Sequence, residues 1–214
     1  MVEFVKFELD KAKDVSAYKP IKTADARRIA GKLFKELKNK PTDYIFGICE
    51  DLLKEKKWAM GVAAFSLAHR MKSRYEKRHF EVFEYWLETY ITGWGDCDDF
   101  CTHAFGELIC QYTDLSDSIV NWTKRKEFWM RRASAVILIL SIRNHLYNET
   151  KPLRISDLLI TDKHELVHKG HGWMLKTLSI PEPDLVCEYL LANKNIMPRT
   201  TYRISIEKMN AVMR

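Results

Sequence analysis

Phe128-Trp129-Met130-Arg131-Arg132-Ala133-Ser134-Ala135-Val136-Ile137-Leu138-Ile139-Leu140-Ser141-Ile142 is the stretch on which the fold turns. It carries neither glycine nor proline, and from Ala133 to Leu140 its apolar residues cover most of a helical circumference. A helix apolar all round belongs in the middle of a protein, so this segment is expected at the centre of the fold, with a basic first turn. Working outward, the chain holds only 8 Gly and 6 Pro in 214 residues. The segments between them place apolar residues three and four apart rather than in alternation, the pattern of helices. Thr23 is an acceptable N-cap for a helix through Ile29, Leu33, Phe34 and Leu37, stopped by Pro41. Further helices are expected over 43–55, 57–72, 79–91, 96–112, 115–123, 127–145, 156–162, 164–179, 183–192 and 200–213. No strand is needed. The fold class is therefore all-α, and helices of this length with short breaks suit either a globular bundle or a stack of helical hairpins.

Composition bounds the function classes. Lys and Arg number 35 against 29 Asp and Glu, a formal charge of +6, which favours acidic partners. No apolar run nears the roughly 20 residues needed to cross a bilayer, and the opening Met1-Val2-Glu3-Phe4-Val5-Lys6 lacks a secretory layout. A soluble, cytoplasmic protein is expected. The five cysteines Cys49, Cys97, Cys101, Cys110 and Cys187 are odd in number and lack framework spacing, so reduced, mostly buried thiols are the plain reading.

Several residues stand out chemically. In Thr92-Gly93-Trp94-Gly95-Asp96-Cys97-Asp98, a tryptophan precedes a carboxylate by four residues, with Trp94 in a glycine-flanked loop. Asp96 is a good N-cap for the helix that follows, and Asp99 would complete a capping box. Asp98 falls in the first turn, where the helix dipole favours its ionised form, and dipole stabilisation alone would account for it. Trp94 read alone suits packing better than ligand contact. Trp173 follows Gly170 and Gly172, which interrupt a helical stretch at about 1 kcal/mol each; close helix approach and ligand access explain them equally. His164, His168 and His171 share one helical face and are read as a solvated or DNA-facing stripe, since no carboxylate pattern completes a metal site. Cys97, Cys101 and His103 likewise lack zinc spacing. Lys124, Arg125 and Lys126 lead into Phe128-Trp129-Met130-Arg131-Arg132. Positive charge is unfavourable at a helix start, so Arg131 and Arg132 call for a phosphate or a carboxylate, and phosphate is the sharper reading. A second basic region, from Lys54, Lys56 and Lys57 to Arg70, Lys72, Arg74, Lys77 and Arg78, suits either ordinary surface or a backbone-binding face.

Taken in order, Trp94 with Asp98, Trp129-Met130-Arg131-Arg132, Gly172-Trp173 and the ending Arg199-Thr200-Thr201-Tyr202-Arg203 resemble the AlkD-like DNA alkylation repair family, from about residue 43 onward. The resemblance implies a HEAT-like helical solenoid with a concave basic face, formed as one domain over 1–214 with 1–22 as an N-terminal extension. It implies a monofunctional glycosylase, a monomer that excises cationic N3- and N7-alkylpurines from duplex DNA. Asp98 keeps the four-residue offset from Trp94 and aligns with the catalytic acid, although Gly95 departs from the family's Trp-Asp-x-x-Asp and Asp96 and Asp99 are further acids beside it. Trp94 and Trp173 would flank the lesion, and Arg131, Arg132, Lys124 and Arg125 would meet the DNA backbone. No metal, organic cofactor or membrane is implied. The family also includes non-catalytic proteins that bind branched or distorted DNA, which is the alternative reading. A helical protein-interaction scaffold is a third class, and it leaves the placement of Trp94, Asp98 and Trp173 unexplained.

Overall fold

A computed structural model describes residues 1–12 and 21–209, and among these every regular element is helical. Two compact units divide the chain, Met1–Ile91 and Thr92–Arg214. No helix among the described residues is long and apolar enough to cross a membrane. Residues 13–20 of the expected N-terminal extension, and the end of the helix expected over 200–213, lie outside the described residues.

The first unit holds α1 (Val2–Ala12), α2 (Thr23–Leu37), α3 (Thr42–Lys54), α4 (Trp58–Arg70) and α5 (His79–Thr89). Helix α4 is the hub: α1, α2 and α3 all pack against it. α1 is part of this core rather than an appendage, because Val5 and Leu9 are buried. The expected cap at Thr23 moves by one residue, since Lys22 holds the extended N-cap conformation and Thr23 is the first helical residue. Arg74 donates to the carbonyls of Lys38 and Lys40, which ties the end of α2 down. Phe46, Tyr75, His79, Phe83 and Trp86 form one aromatic cluster with ring centroids 5.0 to 6.3 Å apart.

The second unit runs through α6 (Trp94–Thr102), α7 (Ala104–Gln111), α8 (Ser116–Ile119), α9 (Phe128–Val136), α10 (Leu138–Arg143), α11 (Tyr147–Thr150), α12 (Pro152–Leu159), α13 (Glu165–Leu178), α14 (Pro183–Asn193) and α15 (Arg199–Ser205). α6, α9, α13 and α15 lie side by side in that order. A repeat hidden in the sequence shows in their bonds. Asp98 meets Arg132 and Arg132 meets the Leu166 carbonyl, each 34 residues on, while Thr201 donates to the carbonyl of His168, 33 residues back. Equivalent turns of neighbouring helices thus sit level, and α13 and α15 run parallel, with Gly172 against Ile204 and Lys176 bonded to Glu207. This is an all-helical fold of the helical-repeat class. α9 is central as expected, with Ala133, Ala135 and Val136 fully buried.

Three expected helices are cut differently. The one over 96–112 breaks at His103, where φ is −125° and ψ is −94°. The break lets Gly106 fold in so closely that a Cβ there would lie 2.4 Å from the Cys101 carbonyl oxygen. The stretch over 127–145 is divided at Ile137, and that over 115–123 becomes α8 between short 3-10 turns. Cys49, Cys97 and Cys101 are buried free thiols, and Cys110 and Cys187 are half-buried.

Candidate functional site

α6 starts three residues earlier than the capping pattern suggests. Gly93 is the N-cap in extended conformation, so Trp94 is the first helical residue and not part of a loop. Asp96 is therefore inside the first turn rather than capping it. Gly93 holds φ −144° and ψ 168°, and the helix begins there without a side-chain cap. Burial, and then the negative charge of Asp99, push the Asp96 carboxyl up. Trp94 and Asp98 now stand four apart on one helix, hence on one face, and Trp94 leaves 55% of its surface exposed.

Asp98 is bound by Arg132 as a fork. Nε donates to Oδ1 and Nη2 to Oδ2, each at 2.7 Å. The Arg132 side chain is 6% exposed and that of Asp98 17%, so the pair is largely withdrawn from water. A buried guanidinium is tolerable only when its donors are met. Arg132 also donates through Nη1 to the carbonyl of Leu166 on α13. One arginine thus joins α6, α9 and α13. Gly170 makes room for it: a Cβ there would lie 3.0 Å from Arg132 Cγ and 3.2 Å from its Nη1.

Arg131 is committed differently. Its Nε donates to Asp162 Oδ2 at 2.6 Å, and its Nη1 to the carbonyls of Arg125 at 2.8 Å and Lys126 at 2.7 Å. Asp162 also accepts from the His164 backbone N–H at 2.8 Å. Burial raises the Asp162 carboxyl, but the Arg131 bond, the backbone bond and nearby positive charge outweigh it, and the net shift is downward. The dipole penalty of two arginines in the first turns of α9 is therefore offset by two carboxylates of the protein itself.

The histidines do not form a solvated stripe. His164 is the N-cap of α13, accepting from the Leu166 N–H at 3.2 Å, and its ring stacks on Phe128 with centroids 4.3 Å apart. His168 bonds the carbonyl of Asp162 at 2.6 Å. His171 is fully buried against Ser156, and burial lowers its pKa to about 3. A face shared in sequence was split because the N-terminal end of α13 meets the connection before it while the next turns meet α12. Trp173 lies half-buried on α13, three residues beyond Gly170. Lys124 and Arg125 are exposed on the connection leading into α9. Asp98 and Arg132 are thus joined directly, Arg131 is joined to the carbonyls of the basic connection, and the two tryptophans sit on the helices either side of α9. Asp162, the Leu166 carbonyl and Gly170 were not singled out from sequence as partners of the arginines; the pairing of Asp162 with Arg131 spans 31 residues and leaves no local signature.

In the first unit, part of the basic region is answered on the spot. Lys54 pairs with Asp51, Lys57 with Glu55, and Arg78 with Asp43 and Glu76. Among the described residues, no group of three or more His, Cys, Asp or Glu side chains is arranged to hold a metal ion.

These features define an all-helical repeat protein whose marked polar site is a carboxylate gripped by a buried arginine. The model of the DNA alkylation repair enzyme family matches residues 10–209, and the chain belongs to that family. Among solved structures, it is similar to a predicted DNA alkylation repair enzyme from Enterococcus faecalis, with a TM-score of 0.76 and 16% identity over 89% of this chain and 87% of that one. AlkD2 from Streptococcus mutans superposes with a TM-score of 0.70 at 19% identity, over 97% of this chain and 100% of that one. The smu.31 structure from Streptococcus mutans UA159 gives 0.68 at 19% identity, over the same shares. At such identities the likeness is one of fold. No curated protein sequence matches.

Proposed function

We propose that this chain is a monofunctional DNA glycosylase that releases cationic N3- and N7-alkylpurines from duplex DNA. The observation that carries the reading is Asp98: a carboxylate oriented by two bonds from a buried arginine, one helical turn from an exposed tryptophan. An alkylated purine of this kind already bears a positive charge. When its bond to C1′ breaks, the electron pair moves onto the base and neutralises it, so no strong general acid is required. Positive charge then develops on the sugar, and a fixed anion stabilises it more in the transition state than in the ground state. Water adds at C1′ and loses its proton, leaving an abasic site.

Arg132 fixes the orientation of the Asp98 carboxylate through both of its oxygens, which suits electrostatic stabilisation. Trp94 and Trp173 would flank the lesion or its deoxyribose, where indole faces attract cationic surfaces. The donors of Arg131 and Arg132 are largely taken up by protein acceptors, so they act by holding, and Lys124 and Arg125 meet the DNA backbone. The solenoid is of HEAT type, works as a monomer and needs no cofactor.

The test is release of 7-methylguanine and 3-methyladenine from methylated duplex DNA, corrected for spontaneous depurination, by the wild type and by Asp98→Asn. Release that falls to background in Asp98→Asn, with DNA binding retained, is expected. Undiminished release by the variant would remove Asp98 from the mechanism. Binding without release by the wild type would make the chain a non-catalytic DNA-binding member of the family.

A further inference from the structure

The connection into α9 poses a physical problem. Lys124, Arg125 and Lys126 are consecutive and exposed, and they lead to the positive end of a helix, so their mutual repulsion and the dipole both oppose a fixed arrangement. Yet the connection is bonded in place, and by a further cation. Arg131 reaches back to the carbonyls of Arg125 and Lys126, while its Nε holds Asp162. Unlike the three cations, the Arg131 and Asp162 side chains are mostly withdrawn from solvent, at 18% and 7% exposure. Asp162 is itself anchored to the start of α13, through the His164 N–H to its carboxylate and His168 to its carbonyl. The Phe128 and His164 rings stack across the same junction.

We infer that Arg131 and Asp162 form a positioning clamp that holds this connection in one shape, and that Lys124, Arg125 and Lys126, not Arg131, contact the phosphates of a nucleic-acid backbone. The inference rests on DNA being the ligand. The clamp carries no net charge, so it adds order without adding attraction. A prearranged row of cations loses less conformational entropy on binding than a loose one, and this is where the clamp acts.

Removing Asp162 distinguishes a clamp from a phosphate ligand by the sign of the effect. Asp162→Asn frees Arg131 and raises the net charge by one. An Arg131 that bound phosphate would then bind undamaged duplex DNA more tightly, with a salt dependence steeper by about one counterion. A clamp predicts the reverse: affinity falls by about tenfold despite the added charge, and the slope of log K against log salt between about 50 and 200 mM does not steepen. Arg131→Lys keeps the charge but cannot bond Asp162 and both carbonyls together. It should weaken binding similarly, whereas a simple phosphate ligand would tolerate it within about twofold. Trypsin cleavage at Lys124, Arg125 and Lys126 gives a readout independent of DNA, and both variants should be cut there faster than wild type while the rest of the chain is cut at the same rate. Tighter binding by Asp162→Asn, or unchanged cleavage, overturns the clamp. Failure of the wild type to bind any duplex would instead overturn the DNA reading and the phosphate role of the three cations, and the cleavage rates would still decide the clamp.

Discussion

Arg132→Met replaces a buried guanidinium with an uncharged side chain of similar reach, and the structure specifies what is lost. Asp98 gives up two charge-assisted bonds of 2.7 Å, and the Leu166 carbonyl gives up a donor. Removing one member of a buried ion pair costs about 3–5 kcal/mol, because the other charge is left behind without compensation. Asp98 keeps 17% side-chain exposure and is partly rescued by water, so the lower end, about 3 kcal/mol, is expected. Asp98→Asn strands the more deeply buried partner but leaves an amide oxygen to accept, for about 2–3 kcal/mol. If the two residues act as one unit, the double variant loses no more than about 3 kcal/mol, and the coupling energy is about 2–3 kcal/mol. Urea unfolding of the four proteins, followed by far-UV circular dichroism, measures this directly. Additivity within about 0.5 kcal/mol would refute the argument, because it would mean that the fork does not hold Asp98.

Two other perturbations follow from the geometry around Trp173. His171 is neutral when folded, its pKa lowered to about 3 by burial, whereas an unfolded chain takes up a proton near pH 6.5. Stability is therefore complete above about pH 6.5 and falls as the pH drops toward 3, by at most roughly 5 kcal/mol. His171→Gln should flatten that part of the profile of Tm against pH, and a variant curve parallel to wild type would count against it. Gly172→Ala sets two effects against each other. Alanine ordinarily gains about 1 kcal/mol inside a helix, but here its Cβ would lie 2.9 Å from both Ile204 Cβ and the Thr201 carbonyl oxygen. Crowding of this kind costs about 1–3 kcal/mol, so a net loss is expected in urea unfolding. Gly47→Ala, whose Cβ would meet nothing within 4 Å, should gain instead. A gain at Gly172 would show that α13 and α15 are not in the close contact described.

Local spacing made the helical class legible, along with the central place of the 128–142 segment, the four-residue relation of Trp94 to Asp98 and the basic approach to α9. Each depends on neighbours in sequence: apolar period, glycine and proline breaks, charge runs. The sequence also showed that Arg131 and Arg132 need anions, because their positions near a helix start are read from the chain alone. Which anions they meet was decided by tertiary structure. Asp162 and Asp98 lie 31 and 34 residues away, and only the stacking of successive repeats brings them level with the arginines. The same holds for the end of α6 at His103, where the close approach of Gly106 to the Cys101 carbonyl interrupts a helix that apolar spacing alone would continue. The sequence by itself determined the helical class and the charges the helices carry; the tertiary fold decided where helices break and which charges meet, because ion pairing and close approach depend on distances that no local spacing encodes.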